Sequence, residues 1–189
     1  MHPLIILSAP SSCGKNVIAD ALLKQFPGLE RVITATTRAP RSEEHNGRDY
    51  YFWTLQEFQD HVAQGDMLEW AHVHNLMVGI PRISLEKIVQ AHKVPLLVID
   101  VQGAKTIKQQ WPGAVSIFVK PENLKVMRAW LVARGRNTPQ EIEIRLKSAE
   151  QELAEVPTYD HVIVNRDGKL QETISEVARI VQGIMHETI

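Results

Sequence analysis

Residues 4 to 17, LIILSAPSSCGKNV, are the stretch of sequence that decides the fold. Leu4 to Leu7 form an apolar, β-prone run, and the small residues after it lead through Gly14 into a helical pattern that begins near Lys15. In this order, backbone N–H groups can turn around phosphate oxygens while the positive N-terminal end of the helix faces the same point. Lys15 adds a mobile charge that can reach β- and γ-phosphates. The stretch therefore predicts a phosphate-binding loop.

The loop departs from the Walker A pattern at two positions. Ala9 stands at the first glycine position, and Asn16 stands where a serine or threonine hydroxyl is usual. A degenerate match is also compatible with an ordinary turn between a strand and a helix. Its place directly after a buried-strand run favours phosphate binding. The predicted donor-binding residues of the loop are Ala9, Pro10, Ser11, Ser12, Cys13, Gly14, Lys15, Asn16 and Val17.

The composition is that of an ordinary soluble globular protein. The 189 residues are 44% hydrophobic and 23% charged, with a formal net charge of −1. A chain of this length suits one domain with inserted subdomains. Near-neutral charge argues against a broad nucleic-acid or membrane surface, so we expect neither partner. A single cysteine cannot form an internal disulfide, and the N-terminal apolar run is too short for a signal or a membrane span, so we expect a cytoplasmic protein.

Strand and helix patterns alternate along the chain, which predicts an α/β fold with a parallel sheet and helices on both faces. Strands are predicted at Leu4–Ser8, Val32–Thr36, Tyr50–Trp53, Met67–Val73, Val94–Asp100, Val115–Val119 and His161–Val164. The section from 33 to 92 is richer in charge and aromatic residues, which indicates an inserted substrate-binding subdomain. ARGRNT, residues 133 to 138, has the composition of a mobile flap over an anionic ligand.

A second cluster of positive charge follows the first subdomain strand. Arg38 and Arg41 flank Pro40 in TTRAPR, and guanidinium forks match phosphate oxygens in bidentate geometry. A solvated basic loop is the alternative for this segment on its own. Further along, the chain contains LEWA (68–71), IDVQGA (99–104) and VIVN (162–165). Their order and spacing relative to TTRAPR favour a functional role for this segment over a solvated loop.

Together the blocks TTRAPR, NGRDYYF, LEWA, IDVQGA, ARGR and YDHVIVN closely resemble the guanylate kinase family, over nearly the whole chain from Leu4 to about Ile184. The resemblance implies a P-loop NTPase fold that transfers the γ-phosphoryl group of ATP to GMP, with Mg²⁺ as cofactor, in a monomer or homodimer. It also implies three regions. These are a core domain (1–32, 93–126 and 147–189), a GMP-binding subdomain (33–92) and a lid (127–146).

On the donor side, the resemblance implies that Lys15 holds the β,γ-phosphates and that Asn165 lies beside the adenine. Arg134 in the lid and Arg145 on the following helix match the two arginines that bridge donor and acceptor. With Arg41, these residues complete the predicted catalytic set of Lys15, Arg41, Arg134 and Arg145. Asp100 occupies the place of a Walker B-like carboxylate, and Asn16 and Asp100 are the predicted Mg²⁺ site, acting through water.

On the acceptor side, the resemblance assigns phosphate binding to Arg38, Arg41 and Tyr50, and guanine recognition chiefly to Glu69. A carboxylate accepts from both the N1–H and the exocyclic amine of guanine, and the hydroxyl of Thr34 reaches the base. The full predicted acceptor set is Thr34, Arg38, Arg41, Tyr50, Glu69, Gly79 and Asp100.

Three acceptor positions depart from the family pattern. Val78 lacks the phenol that binds the acceptor phosphate, Ile80 lacks a guanine-binding hydroxyl, and Val98 replaces the first aspartate of Asp-Ile-Asp. Each lost hydrogen bond costs about 0.5–1.5 kcal/mol. These losses keep two alternatives open. One is a kinase of another nucleoside monophosphate or of a ribose bisphosphate. The other is a non-catalytic binding module, which would have no need for the predicted catalytic set.

Overall fold

The computed structural model describes residues 3–10, 12–73, 75–135 and 137–186, with only the backbone of Val73. The strands are β1 (Leu4–Ser8), β2 (Leu29–Arg31), β3 (Ala35–Thr36), β4 (Tyr51–Phe52), β5 (Met67–Val73), β6 (Leu76–Pro81), β7 (Val94–Val98), β8 (Ala114–Pro121) and β9 (His161–Asn165). The α-helices are α1 (Lys15–Gln25), α2 (Leu55–Ala63), α3 (Arg82–Gln90), α4 (Val101–Gln110), α5 (Leu124–Ala133), α6 (Pro139–Ala154) and α7 (Leu170–His186). No helix in these described ranges has the length and apolar content needed to cross a membrane.

The main sheet has five parallel strands in the order β2-β7-β1-β8-β9. Strand β1 lies at its centre, and all five of its residues are buried. Alternate residues of a strand point to opposite faces, and here the two faces have different neighbours. Ile5 and Leu7 pack into the core beneath α1, α5, α6 and α7, whereas Leu4 and Ile6 pack with residues of α3 and α4. The predicted α/β fold with a parallel sheet and helices on both faces is confirmed.

A second, smaller sheet has the order β4-β3-β6-β5. Its β5–β6 hairpin is antiparallel and carries an irregularity between Met67 and Glu69. Next to this irregularity, Gly79 pairs with Trp70, and a Cβ on Gly79 would lie 2.6 Å from the backbone oxygen of Glu69. Only glycine therefore allows the two strands to approach this closely, and Gly79 fixes the strand that carries Glu69.

The structure corrects two predicted strand boundaries. The predicted Val32–Thr36 strand is shortened to β3 (Ala35–Thr36), because the chain leaves the main sheet at Arg31, the end of β2, and joins the second sheet only at Ala35. Strand β7 ends at Val98, so Asp100 is the N-cap of α4 and not the last residue of a strand. The sequence analysis missed β2 and β6. Each depends on a neighbouring strand that the local pattern does not reveal.

Three helices that the sequence assigned wholly or partly to the peripheral regions pack into the main body. Leu85 and Ile88 of α3, within the predicted 33–92 subdomain, share a core cluster with Leu97 of the main sheet. Met127 and Ile142, within the predicted 127–146 lid, belong to the other core cluster. The three-region division stays a prediction. The packing favours a lid limited to the turn between α5 and α6.

Candidate active site

The loop between β1 and α1 contains two left-handed residues. Ser12 has φ 69° and Gly14, the N-cap of α1, has φ 82°. Left-handed turns at a helix start direct successive N–H groups into a concavity that binds anions. The positive φ of Gly14 favours glycine, and a Cβ there would also lie close to Leu170 Cδ1, at 3.2 Å. Ser11 lies outside the described residues.

The side chain of Asn165 binds the backbone of this loop. The Asn165 Nδ2 donates to the Cys13 oxygen at 3.3 Å, and its Oδ1 accepts from Thr173 Oγ1 at 3.0 Å. Asn165 is buried, as is Cys13, and burial raises the pKa of the Cys13 thiol to about 12. The place of Asn165 beside the adenine stays a prediction. In the structure its side-chain amide joins the phosphate-binding loop to α7.

A cavity of about 350 Å³ lies above this loop. Its lining residues are Ala9, Pro10, Ser12, Gly14, Lys15, Asn16, Val17, Asp100, Arg134 and Glu152. Lys15 Nζ donates to the Ile99 oxygen at 3.1 Å. Burial lowers the pKa of Lys15, while the carboxylates of Asp100 and Glu152 oppose that shift. Burial is the larger of these effects, so the pKa of Lys15 lies below its usual value.

The two predicted lid arginines occupy different places. Arg134 caps the C-terminal end of α5, and its Nη1 donates to Ser12 Oγ at 3.1 Å, so this arginine already contacts the phosphate-binding loop. Arg145 lies on the exposed face of α6, where its Nε donates to Asn137 Oδ1 at 3.0 Å. Arg134 lines the cavity, whereas Arg145 is not among its lining residues.

A second pocket of about 220 Å³ lies between the two sheets. One part of its wall is polar, with Thr34, Tyr50 and Glu69. The other part is apolar, formed by Ala71, Val78, Ile80 and Val98. The three positions that depart from the family pattern therefore all face this pocket.

Glu69 and Asp100 meet at the start of α4. Asp100 Oδ1 accepts from the Gly103 N–H at 2.9 Å. A Cβ on Gly103 would lie 3.6 Å both from Asp100 Oδ1 and from Glu69 Oε2. Burial raises the pKa of Glu69 to about 7, and the charge of Asp100 adds to the rise. The carboxyl group of Glu69 therefore titrates near neutral pH.

A third cavity, of about 260 Å³, contains the basic cluster of the TTRAPR segment. Arg38 Nη2 donates to both oxygens of Glu44 at 2.9 Å, and the Arg41 N–H donates to Glu44 Oε2 at 2.9 Å. The Arg38 guanidinium also lies 5.7 Å from the centre of the Tyr50 ring. Partial burial raises the pKa of Glu44, but these hydrogen bonds outweigh it and bring the pKa below its usual value. The carboxylate of Glu44 therefore lies between the two arginines that the sequence predicts for acceptor-phosphate binding.

The three cavities are adjacent. Lys15 and Asp100 line both the 350 Å³ cavity and the 220 Å³ pocket. Tyr50 lines the 220 Å³ pocket and the 260 Å³ cavity, and Asn16 lines the 260 Å³ and 350 Å³ cavities. A phosphate-binding loop thus adjoins an arginine cluster and a pocket with a carboxylate at its wall. The 350 Å³ cavity and the 220 Å³ pocket therefore share Lys15 and Asp100 in their walls.

The family model for guanylate kinase matches residues 1–184 of the chain. The chain belongs to the guanylate kinase family. Its relatives include the guanylate kinases of Symbiobacterium thermophilum, 37% identical over 98% of this chain and 87% of that protein, and of Gloeobacter violaceus, 38% identical over 95% and 88%. The crystal structure of guanylate kinase from Anaplasma phagocytophilum is similar, with a TM-score of 0.76 and 32% identity over 96% of this chain and 85% of that one.

Most of the predicted site residues of this guanylate kinase family member line one of the three cavities. The exceptions among the described residues are Cys13, Asn165 and Arg145. Sequence analysis missed Glu152, which lines the 350 Å³ cavity. Burial raises the pKa of Glu152, Lys15 opposes the rise, and Asp100 adds to it. One signal was available, because Glu152 continues the buried stripe of α6 three residues after Ala149.

Proposed function

We propose that this protein is an ATP:GMP phosphotransferase that converts ATP and GMP to ADP and GDP. One observation carries the proposal. The cavity over the phosphate-binding loop and the pocket that contains Glu69 meet at Lys15 and Asp100. Phosphoryl transfer requires the attacking oxygen and the γ-phosphorus to lie in line, with positive charge on the equatorial oxygens. Two adjoining sites with a lysine between them meet that requirement.

On the donor side, the loop N–H groups and Lys15 bind the phosphates of ATP. Lys15 now donates to the Ile99 oxygen, so binding exchanges that hydrogen bond for one to a phosphate oxygen. Arg134 already lies against Ser12 of the loop and stabilises the charge on the transferred group. Arg145 reaches the substrates only if the turn between α5 and α6 moves toward the cavity, because its Nε is now hydrogen-bonded to Asn137.

The carboxylates that line the donor cavity are suitable for holding Mg²⁺. Asp100 uses Oδ1 to cap α4, and both Asp100 and Glu152 line the cavity beside Lys15, which gives the hard oxygen donors that Mg²⁺ and its waters prefer. The predicted role of Asn16 fits less well, because its Oδ1 accepts from Arg31 Nη2 at 3.4 Å. We therefore assign Mg²⁺ to Asp100 and Glu152 through water. When bound, the ion neutralises phosphate charge.

On the acceptor side, Glu69 accepts from the N1–H and the exocyclic amine of guanine, with Thr34 on the same pocket wall. The phosphate of GMP extends past Tyr50 to Arg38 and Arg41. Binding there displaces Glu44, whose carboxylate holds the Arg38 fork in the ligand-free protein. Glu44 thus keeps the arginines oriented until the phosphate arrives. Cytoplasmic location, a monomer or homodimer, and the absence of nucleic-acid and membrane partners stay predictions of the sequence.

A coupled assay of ADP release with ATP and Mg²⁺ tests this function. The acceptors are GMP, dGMP, AMP, UMP and ribose 1,5-bisphosphate, each compared with a blank that contains no acceptor. We expect GMP and dGMP to give the highest rates. GMP at the rate of the blank, with another acceptor above it, overturns the proposal and favours the kinase with a different acceptor.

Two variants separate the donor role from the acceptor role. Lys15→Ala should abolish turnover of every acceptor, because it removes a charge common to all reactions. Glu69→Gln should damage the use of GMP and leave the release of ADP with water unchanged. An equal loss of all acceptor reactions in Glu69→Gln would show that Glu69 does not read guanine.

A further inference from the structure

Arg31 lines the 260 Å³ cavity together with Arg38, Arg41 and Tyr50. No motif in the sequence identified it. Three arginines therefore line a cavity that adjoins the phosphate-binding loop at Asn16. The carboxylates of Asp20, Glu44 and Asp49 line the same cavity and balance this positive charge, so an incoming phosphate has to compete with them for the arginines.

The backbone and both ends of the Arg31 fork are held in place. Arg31 is the last residue of β2 and pairs with Leu96 of the main sheet, and its side chain is 25% exposed. Its Nη2 donates to Asn16 Oδ1 at 3.4 Å, and its Nη1 lies 3.8 Å from Asp20 Oδ1. Both partners are on α1. The guanidinium is thus fixed between the start of that helix and the arginine cluster.

The contacts of Arg31 leave hydrogen-bonding capacity for a ligand. A guanidinium carries five N–H donors. The Arg38 fork meets both oxygens of Glu44 at 2.9 Å, whereas the closest carboxylate oxygen to Arg31 in an ion pair lies at 3.8 Å. Asp20 itself is 61% exposed, so solvent weakens that pair. An incoming phosphate would form shorter, charge-assisted hydrogen bonds than the ones it replaces.

We propose that Arg31 binds the phosphate of the acceptor nucleotide, together with Arg38, Arg41 and Tyr50. The inference rests on the proposed function for the identity of the acceptor. In this proposal Arg31 supplies the phosphate contact that Val78 cannot make, because a valine side chain has no hydrogen-bond donor. It also explains the pairing of Arg31 with Asn16, which orients the fork at the border between the donor and acceptor cavities.

The test compares Arg31→Met with the unmodified protein by calorimetric titration of GMP and of guanosine, without ATP. Guanosine has the same base and ribose but no phosphate. We expect Arg31→Met to weaken GMP binding by about 10- to 100-fold, the range of a lost charge-assisted contact, and guanosine binding by less than about twofold. Arg48→Met is the matched control. It removes one exposed positive charge from the same region and should leave the GMP affinity within about threefold.

Arg31→Lys is the second variant, which keeps the charge but not the fork, and it should weaken GMP binding by a smaller factor. The proposal is overturned by GMP affinities equal to that of the unmodified protein in both variants. It is also overturned by an equal loss for GMP and guanosine, or by a loss of ATP affinity alone, since either outcome indicates that Arg31 only braces α1. If the protein binds GMP but does not phosphorylate it, the proposed function is wrong, and the binding measurement still tests the role of Arg31. A protein that does not bind GMP overturns both.

Discussion

Arg134 Nη1 donates a hydrogen bond to Ser12 Oγ at 3.1 Å, which joins the end of α5 to the phosphate-binding loop. Among the described residues of that loop, Ser12 and Gly14 have a left-handed backbone. The bond therefore holds a guanidinium group beside the turn that directs the loop N–H groups into the cavity. This preorganisation means that little rearrangement of Arg134 is needed when charge develops during transfer.

Replacing Arg134 with methionine should lower kcat by about 10³-fold or more, as other arginines that stabilise phosphoryl transfer do. The KM for GMP should change little, because Arg134 lines only the donor cavity. Steady-state kinetics with ATP and GMP varied separately gives both constants. Arg128→Met is the control, since Arg128 lies on the same helix and pairs with Glu143 at the surface. A kcat within tenfold of the unmodified value in Arg134→Met would contradict the assignment.

The affinity for GMP should rise with pH because of Glu69. Its carboxyl group has a pKa of about 7 and must be ionised to accept from guanine. Between pH 6 and pH 8 the ionised fraction increases by about tenfold, so the dissociation constant for GMP should fall by a similar factor. The phosphate of GMP also titrates near pH 6. Glu69→Gln keeps that contribution. The ratio of the GMP dissociation constants of the two proteins at each pH therefore isolates the effect of Glu69. A ratio that does not vary with pH would show that Glu69 does not contact the base.

Glu69 should also reduce the stability of the ligand-free protein at alkaline pH. Its pKa is about 7 in the folded protein and 4.5 in the unfolded chain, so the folded state binds the proton more tightly. The free energy of unfolding therefore falls as the pH rises from about 4.5 through about 7. Glu69→Gln removes this effect and should have the higher Tm at pH 8, with the difference disappearing near pH 4.5. A Tm difference that stays constant over this range would indicate changed packing and no effect of charge.

Glu152 should contribute to the binding of Mg²⁺. Its carboxylate lines the donor cavity beside Lys15 and Asp100. Glu152→Gln should therefore raise the Mg²⁺ concentration that gives half-maximal rate, by about three- to tenfold for one lost water-mediated contact. It should also tighten the binding of ATP when EDTA removes Mg²⁺, because one repelling charge is gone. Glu150→Gln changes an exposed residue of the same helix and should do neither. An unchanged Mg²⁺ requirement in Glu152→Gln excludes it from the metal site.

The parts of the fold that local sequence determines could be predicted. The apolar run of β1, the small-residue loop and α1 are consecutive, so their order alone indicates the phosphate-binding loop. The family resemblance predicted from six sequence blocks is confirmed by the family match over residues 1–184. Strands β2 and β6 could not be found in this way, because LER is polar and short and LMVGIP contains a glycine and a proline. Their pairing partners on other strands hold them in the sheets.

The contacts of two residues near the site could not be predicted, for a different reason. Asn165 is the last residue of β9, but its partner Cys13 lies 152 positions earlier in the chain. A charged residue on a helix, such as Glu152, is usually solvated, so its position beside Lys15 became visible only when α6 was packed against the sheet. Side-chain roles that depend on packing between elements are therefore the part that sequence patterns did not reveal.

A substitution of Val78 in the acceptor pocket should improve the use of GMP. This residue lies on β6 opposite Thr36 of β3 and Ala71 of β5, and it is half-buried at the pocket wall. Tyrosine is well tolerated in strands, and its hydroxyl can donate to the acceptor phosphate as the family phenol does. Val78→Tyr should lower the KM for GMP by about tenfold, with kcat within about twofold. Val78→Phe adds the same ring without the hydroxyl and should not lower the KM. An equal decrease in both variants would attribute the gain to apolar contact with the nucleotide and contradict a missing phosphate contact at this position.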